Sequence, residues 1–140
     1  MNNEKTILLV EDKKDDVDLL KIKFRSREIE CNMPVVSNGK EALDYMHHVG
    51  EYSDREKYPD PDLIILDIRM PKMSGIEFLN IIKSDEKMRN IPVIMLTIST
   101  LEKDIFDSFD ACCEHYVAKS VAFELFEETI EPIIRFYLNK

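Results

Sequence analysis

The sequence contains a small set of side chains that together are able to bind a cation and carry a phosphoryl group. Each of them follows a short apolar run, and the set comprises Glu11, Asp12, Asp67, Thr97 and Lys119. Carboxylate oxygens are ligands that Mg²⁺ prefers, and a carboxylate can also act as a nucleophile in covalent catalysis. The chemistry that these residue types indicate is metal-assisted phosphoryl transfer.

Repulsion among the three carboxylates limits what such a cluster can be. Two like charges ~4 Å apart repel by about 4 kcal/mol at an effective dielectric constant near 20. The cluster can relieve this repulsion by sharing protons or by binding one hard divalent cation, since Lys119 alone is too small a counter-charge. Mg²⁺ and a phosphoryl group together would balance the charges, with Asp67 as the nucleophile and Lys119 beside the anion.

The apolar runs before these residues have the character of buried strands. Three runs, at residues 6–10, 63–66 and 93–96, are apolar along almost their whole length and have no polar face. Weaker runs lie at 33–36 and 115–118. Strands without an alternating pattern belong in a parallel sheet that helices cover on both faces. Because ligands of such sheets bind beyond the carboxyl ends of the strands, we expect the five side chains to converge there.

The segments between the runs have the spacing of amphipathic helices. Apolar residues recur every three or four positions, which is the period of one helix face. Five stretches show this spacing: residues 17–24, 39–46, 75–82, 101–109 and 121–138. The last stretch contains Pro132, which is expected to kink or split it. Strands that alternate with helices in this way predict an α/β fold with a doubly wound sheet.

Composition and charge exclude several functional classes. The chain has 28 acidic and 19 basic residues in a total of 140, and its formal net charge of -9 argues against binding nucleic acid or anionic lipid. No stretch approaches the ~18 apolar residues of a membrane span, and the N-terminus does not resemble a signal peptide. The cysteines, Cys31, Cys112 and Cys113, lack the spacing of a metal site or a disulfide framework. These features predict a soluble cytoplasmic protein.

Four segments resemble the receiver domain of two-component response regulators. They are Glu11-Asp12, the run from Leu66 to Gly75, Leu96-Thr97 and the run from Tyr116 to Lys119. The segments occur in the family's order and spacing, and the resemblance covers nearly the whole chain. The long polar loop at 47–61, before the third strand, is similar to that of stand-alone receivers paired with bacterial phytochrome kinases.

The resemblance implies a flavodoxin-like (βα)5 fold, with five parallel strands in the order 2-1-3-4-5. We expect a single receiver domain over residues 1–140 with no output domain. It also implies that Asp67 accepts a phosphoryl group from a histidine kinase. Asp12 would bind Mg²⁺ directly and Glu11 through water, and the backbone carbonyl of Arg69 would be the remaining protein ligand.

The other family positions imply a switch. Thr97 would hydrogen-bond one phosphoryl oxygen, Lys119 would pair with another, and Tyr116 would turn inward when Thr97 moves. This movement would repack the surface of the fourth helix, fifth strand and fifth helix. That surface would then bind a downstream protein or form a homodimer.

Five positions depart from the family's common pattern: Arg69, Ile98, Ser99, Cys112 and Ser120. Ser120 follows Lys119 where proline is usual, Ile98 replaces a small residue, and Cys112 replaces a glycine that ends the fourth helix. Arg69 and Ser99 occupy positions that influence hydrolysis of the acyl phosphate in the family, so we expect an altered phosphoryl lifetime.

Three other functions remain open from the sequence. The chain could shuttle phosphoryl groups in a phosphorelay, or it could be a protein-binding receiver that does not cycle phosphate. An aspartate-based phosphohydrolase is a weaker alternative. Those enzymes carry a second aspartate two residues after the nucleophile, and here that position is Arg69.

Overall fold

Five short parallel strands form the centre of the structure, a computed structural model that describes residues 4–98 and 102–140. The strands are β1 Ile7–Val10, β2 Val35–Val36, β3 Leu63–Leu66, β4 Val93–Thr97 and β5 His115–Ala118. They form one sheet in the order β2-β1-β3-β4-β5. The predicted doubly wound parallel sheet and its strand order are confirmed.

Helices follow the strands along the chain, as the sequence predicts. They are α1 Lys14–Ser26, α2 Gly39–His47, α3 Gly75–Lys83, α4 Glu102–Asp110, α5 Lys119–Glu124 and α6 Ile130–Leu138. Within residues 4–98 and 102–140, side chains cap α2 and α3 at the N-terminus. Asn38 accepts a hydrogen bond from the backbone N–H of Glu41, and Ser74 accepts one from the backbone N–H of Glu77.

Each central strand is buried on both faces because its alternate residues enter two separate cores. In β1, Leu8 and Val10 belong to the core that packs under α2 and α3. Ile7 and Leu9 belong to the core under α1 and α6. Burying one such side chain contributes about 1.5–3 kcal/mol. The two cores therefore fix the sheet from both sides, and with it the positions of the residues that follow each strand.

The last predicted helix was expected as one stretch kinked or split at Pro132, and this placement of the break is wrong. The structure has two helices, α5 and α6, and the break between them lies before Pro132. Pro132 is the third residue of α6, where its missing N–H leaves no helical hydrogen bond unmade. The break turns Phe126 inward, so that its ring lies 6.1 Å from that of Phe24.

The long polar loop is packed against the molecule by three tyrosines. The rings of Tyr45, Tyr52 and Tyr58 lie 5.1–5.8 Å apart, and a 3-10 turn at Gly50–Tyr52 brings Tyr52 into this group. The Tyr45 hydroxyl donates to the carbonyl of Pro59 at 2.7 Å. The loop is therefore anchored to α2, a feature that its polar composition did not predict.

The end of α4 shows how the chain accommodates one departure from the family pattern. Cys112, where a glycine is common, adopts a left-handed backbone with φ of 69°. For a residue with a side chain this conformation costs roughly 1–2 kcal/mol.

Within the described residues, no helix is long and apolar enough to cross a lipid bilayer.

Gly75 allows α3 to begin against the backbone of Asp67. A Cβ atom at position 75 would lie 1.9 Å from the Asp67 carbonyl oxygen, and the Gly75 N–H donates to the carbonyl of Ile68 at 2.9 Å. Only a residue without a side chain fits there.

We predict that Gly75→Ala lowers the free energy of unfolding by about 1–3 kcal/mol or more, because the loop after β3 must move. Gly50→Ala is the control, since it also adds one methyl group but meets nothing within 4 Å. Its left-handed φ of 60° adds a backbone cost of roughly 1–2 kcal/mol, so Gly75→Ala should be the more destabilising of the two variants. Urea unfolding of both variants measures the difference, and an equal loss in the two would contradict the packing argument.

Candidate functional site

The carboxyl edge of the sheet brings together side chains from four strand ends. Glu11 follows β1, Asp67 follows β3, and Thr97 is the last residue of β4. Lys119 follows β5 directly and is the first residue of α5. Thr97 is fully buried, and Lys119 is buried with only 3% of its surface exposed.

Glu11, Asp12 and Asp67 form an acidic group at this edge. One carboxylate oxygen from each residue lies within 4.8 Å of the others. Glu11 and Asp67 are buried, whereas Asp12 is exposed. Oxygen donors at this spacing, with one side open to solvent, suit a hard divalent cation such as Mg²⁺.

Backbone hydrogen bonds hold the carboxylate of Asp67 in a fixed orientation. Its Oδ1 atom accepts a hydrogen bond from the N–H of Ile68 at 2.8 Å. Its own N–H donates to the carbonyl of Val10 at 3.1 Å, which extends the β1–β3 pairing by one residue. Asp67 is therefore positioned by the sheet and by the loop that leads to α3.

Lys119 contacts three carboxylates. Its Nζ atom pairs with Glu11, lies 2.7 Å from Asp16 Oδ2 and lies 3.4 Å from Asp67 Oδ2. Lys119 therefore lies beside Asp67, although Asp67 is the most distant of the three partners.

Asp16 is a site residue that the sequence analysis missed. It lies in the first turn of α1, four residues before Leu20 and eight before Phe24, both of which are buried. Residues four apart lie on the same face of a helix. This spacing was a signal that Asp16 faces the sheet.

The pKa values of Glu11 and Lys119 are both raised, for different reasons. Desolvation raises the pKa of Glu11 to about 7, and the neighbouring Asp67 adds to this, despite the pairing with Lys119. Burial alone would lower the pKa of Lys119, but its bonds to Asp16 and Glu11 and the charge of Asp67 raise it to about 12. The site therefore keeps its ammonium charged and holds more negative charge than Lys119 balances.

The remaining predicted residues connect this edge to α4 and β5. The Arg69 side chain points to α4, where its guanidinium donates to Asp104 Oδ2 at 2.7 Å. The half-buried ring of Tyr116 on β5 lies 6.3 Å from that of Phe109 on α4. Ile98 is 59% exposed beside Thr97.

Ser120 and Ser99 are two further departures from the family pattern. Ser120 is exposed in the first turn of α5, directly after Lys119. Ser99 lies outside the described residues.

The raised pKa of Glu11 predicts a pH dependence of stability in metal-free protein. Between the ordinary pKa of 4.5 and the folded value of about 7, the folded state binds more protons at Glu11 than the unfolded state. This group's contribution to the free energy of unfolding therefore decreases as pH rises through that range. Glu11→Gln removes the loss, so its stability relative to wild type should increase by roughly 2–3 kcal/mol from acidic to neutral pH.

Chemical denaturation at several pH values measures this difference. Glu30→Gln is the matched control because it makes the same change at an exposed position. A constant stability difference between Glu11→Gln and wild type across the range would show that Glu11 does not retain its proton.

Comparisons with known proteins agree with this geometry. A protein-family model, described as the response regulator receiver domain, matches residues 7–131 of the chain. Response regulator Rcp1 of Synechocystis sp. is 34% identical over 138 residues, which cover 99% of this chain and 92% of Rcp1.

Two crystal structures are also similar over 96% of this chain and 94% of theirs. One is the phosphorylated cyanobacterial phytochrome response regulator RcpA, with a TM-score of 0.85 and 36% identity. The other is the Mn²⁺-bound form of response regulator Rcp1, with a TM-score of 0.83 and 34% identity. The fold, the acidic group and these matches lead to one conclusion: the chain belongs to the response regulator receiver domain family of two-component systems.

Proposed function

We propose that this chain accepts a phosphoryl group on Asp67 from a histidine kinase, in a Mg²⁺-dependent reaction. Aspartate phosphorylation and dependence on Mg²⁺ are general to receiver domains. The observation that carries the proposal for this chain is the buried Asp67 carboxylate, which lies between an ammonium and two further carboxylates.

The cation would be held by Glu11, Asp12 and Asp67, with the backbone carbonyl of Arg69 as the remaining protein ligand. The closeness of the three carboxylates and the exposure of Asp12 support this assignment. When bound, Mg²⁺ neutralises charge on the phosphoryl oxygens. The Glu11 carboxylate would then interact with the cation and pair less strongly with Lys119.

In the transfer step, a carboxylate oxygen of Asp67 attacks the phosphorus of a phosphohistidine in line with the leaving nitrogen. The O–P bond forms, the N–P bond breaks, and its electron pair returns to the imidazole nitrogen. Lys119 and Thr97 would bind the transferred oxygens. Hydrolysis of the acyl phosphate later restores the Asp67 carboxylate, so the protein acts only on its own phosphorylation and is not an enzyme with a separate substrate.

The phosphoryl group would change the surface formed by α4, β5 and α5, and two contacts support a link to it. The Arg69–Asp104 ion pair joins the loop after β3 to α4. The ring contact of Phe109 with Tyr116 joins α4 to β5. A phosphoryl group at Asp67 adds negative charge close to the loop that carries Arg69, and Thr97 and Tyr116 would shift toward it.

Among the residues that the structure describes, this surface and the end of α5 carry the exposed apolar side chains Phe109, Val121 and Leu125. We propose that it binds a downstream protein or a second copy of the chain. The net charge of -9 disfavours nucleic acid and anionic membranes as partners, and the proposed setting is the cytoplasm.

Asp67→Asn tests the proposed acceptor directly. With Mg²⁺ and acetyl phosphate, the wild type should gain one phosphoryl group that hydroxylamine removes, because an acyl phosphate reacts with that nucleophile. Asp67→Asn should gain none, since an amide oxygen is a poor nucleophile. Intact-protein mass spectrometry measures both.

Asp18→Asn, an exposed change on α1, is the control and should behave as wild type. Phosphorylation of Asp67→Asn to the wild-type extent would refute the assignment. A wild type that takes up no phosphoryl group and binds no Mg²⁺ would favour the protein-binding alternative.

Thr97→Ala tests the switch separately from the chemistry. Beryllofluoride with Mg²⁺ should alter amide hydrogen exchange in α4 and β5 of the wild type and of Thr97→Ser, which keeps the hydroxyl. Thr97→Ala should bind beryllofluoride without this change, because no hydroxyl is drawn to the anion. The same exchange pattern in Thr97→Ala as in wild type would show that the surface responds by another route.

A further inference from the structure

Asp16 is the one carboxylate of the Lys119 contacts that lies outside the acidic group. Its Oδ2 atom lies 2.7 Å from Lys119 Nζ, and 25% of its side chain is exposed. The group of three oxygens suited to a cation comprises Glu11, Asp12 and Asp67 only, within the part of the chain that the structure describes. Asp16 is thus a partner of the ammonium and not of the proposed metal.

The distances show where the ammonium is drawn. Lys119 Nζ lies 2.7 Å from Asp16 Oδ2 and 3.4 Å from Asp67 Oδ2, so it is 0.7 Å closer to Asp16. A primary ammonium has three N–H donors, and Glu11 and Asp16 take the two shorter contacts. The donor directed at the phosphoryl acceptor makes the longest contact.

Occupation of the site would change this balance unequally. Glu11 would pair with the cation, and Asp67 would lose its carboxylate charge when its oxygen bonds to the phosphorus, whereas Asp16 would remain a charged partner of Lys119. A phosphoryl oxygen must then compete with Asp16 for the ammonium. Before a cation binds, Asp16 also limits how strongly Lys119 pairs with Glu11 and Asp67, the carboxylates that the cation needs as ligands.

We propose that Asp16 is a positioning residue that holds the Lys119 ammonium away from the acceptor, favouring Mg²⁺ binding and opposing the phosphoryl group. This inference rests on the proposed function. It predicts effects of opposite sign when the carboxylate is removed. Without Asp16, Lys119 pairs more with Glu11 and Asp67, so Mg²⁺ binds less tightly. At saturating Mg²⁺, the released ammonium binds the anion more tightly.

The test measures Mg²⁺ affinity by titration and beryllofluoride affinity at saturating Mg²⁺, for wild type and Asp16→Asn. We expect Asp16→Asn to weaken Mg²⁺ binding and to tighten beryllofluoride binding, each roughly two- to fivefold. A role in folding alone would weaken both. Asp16→Glu, which keeps a carboxylate, should restore both affinities toward wild type.

Asp15→Asn is the matched control. Asp15 is exposed in the same first turn of α1, so its substitution removes the same charge and the same interaction with the helix dipole. A readout without metal or anion is the ¹H–¹⁵N signal of the Lys119 ammonium, which should shift in Asp16→Asn and not in Asp15→Asn.

The possible outcomes distinguish a failure of the role of Asp16 from a failure of the proposed function. Wild-type binding of Mg²⁺ and beryllofluoride, with Asp16→Asn no different from Asp15→Asn, would overturn only the role of Asp16. A loss of both affinities in Asp16→Asn would also overturn it, in favour of a structural role. Failure of the wild type to bind either probe would overturn the proposed function and this inference together.

Discussion

The carboxyl edge of the sheet buries more negative charge than its ammonium can balance. Glu11 and Asp67 are buried there, and Lys119 is the cation that contacts both. The pKa of Glu11 is raised because desolvation outweighs the pairing. Such an arrangement favours the binding of a cation, and in the proposed function the cation would permit a phosphoryl group beside Asp67. The proposed chemistry depends on this imbalance.

The rest of the fold keeps that imbalance in place. Bringing an ion out of water carries a penalty of several kcal/mol, and unpaired carboxylates in a loose structure would separate and regain their hydration. Here both faces of the sheet are covered by apolar cores, so the strand ends cannot move apart without exposing them. The close approach of Gly75 to the Asp67 backbone adds a local constraint. The stability of the cores thus maintains an electrostatically unfavourable edge.

The same edge is connected to an exposed surface by short side-chain contacts. Arg69 reaches Asp104 on α4, and Phe109 on α4 meets Tyr116 on β5. These contacts start from residues next to the acceptor or on the strand that leads to Lys119. A change of charge at Asp67 would act within one or two contacts of the proposed docking surface. Asp16, from the opposite side, gives α1 an influence on the same ammonium.

The sequence by itself determined the strands, most of the helices and the meeting of Glu11, Asp67 and Lys119. All-aliphatic runs and helical spacing are local properties, and parallel strands must end at one edge. Only the tertiary structure decided the break before α6, the tyrosine packing of the long loop, and the contacts of Asp16 and Arg69. Phe126 packs against Phe24 from the other end of the chain, and Tyr45 packs against Tyr52 and Tyr58 of the long loop. Such pairings depend on where side chains point after the helices pack on the sheet, and the hydrophobic periodicity of the sequence does not predict these directions.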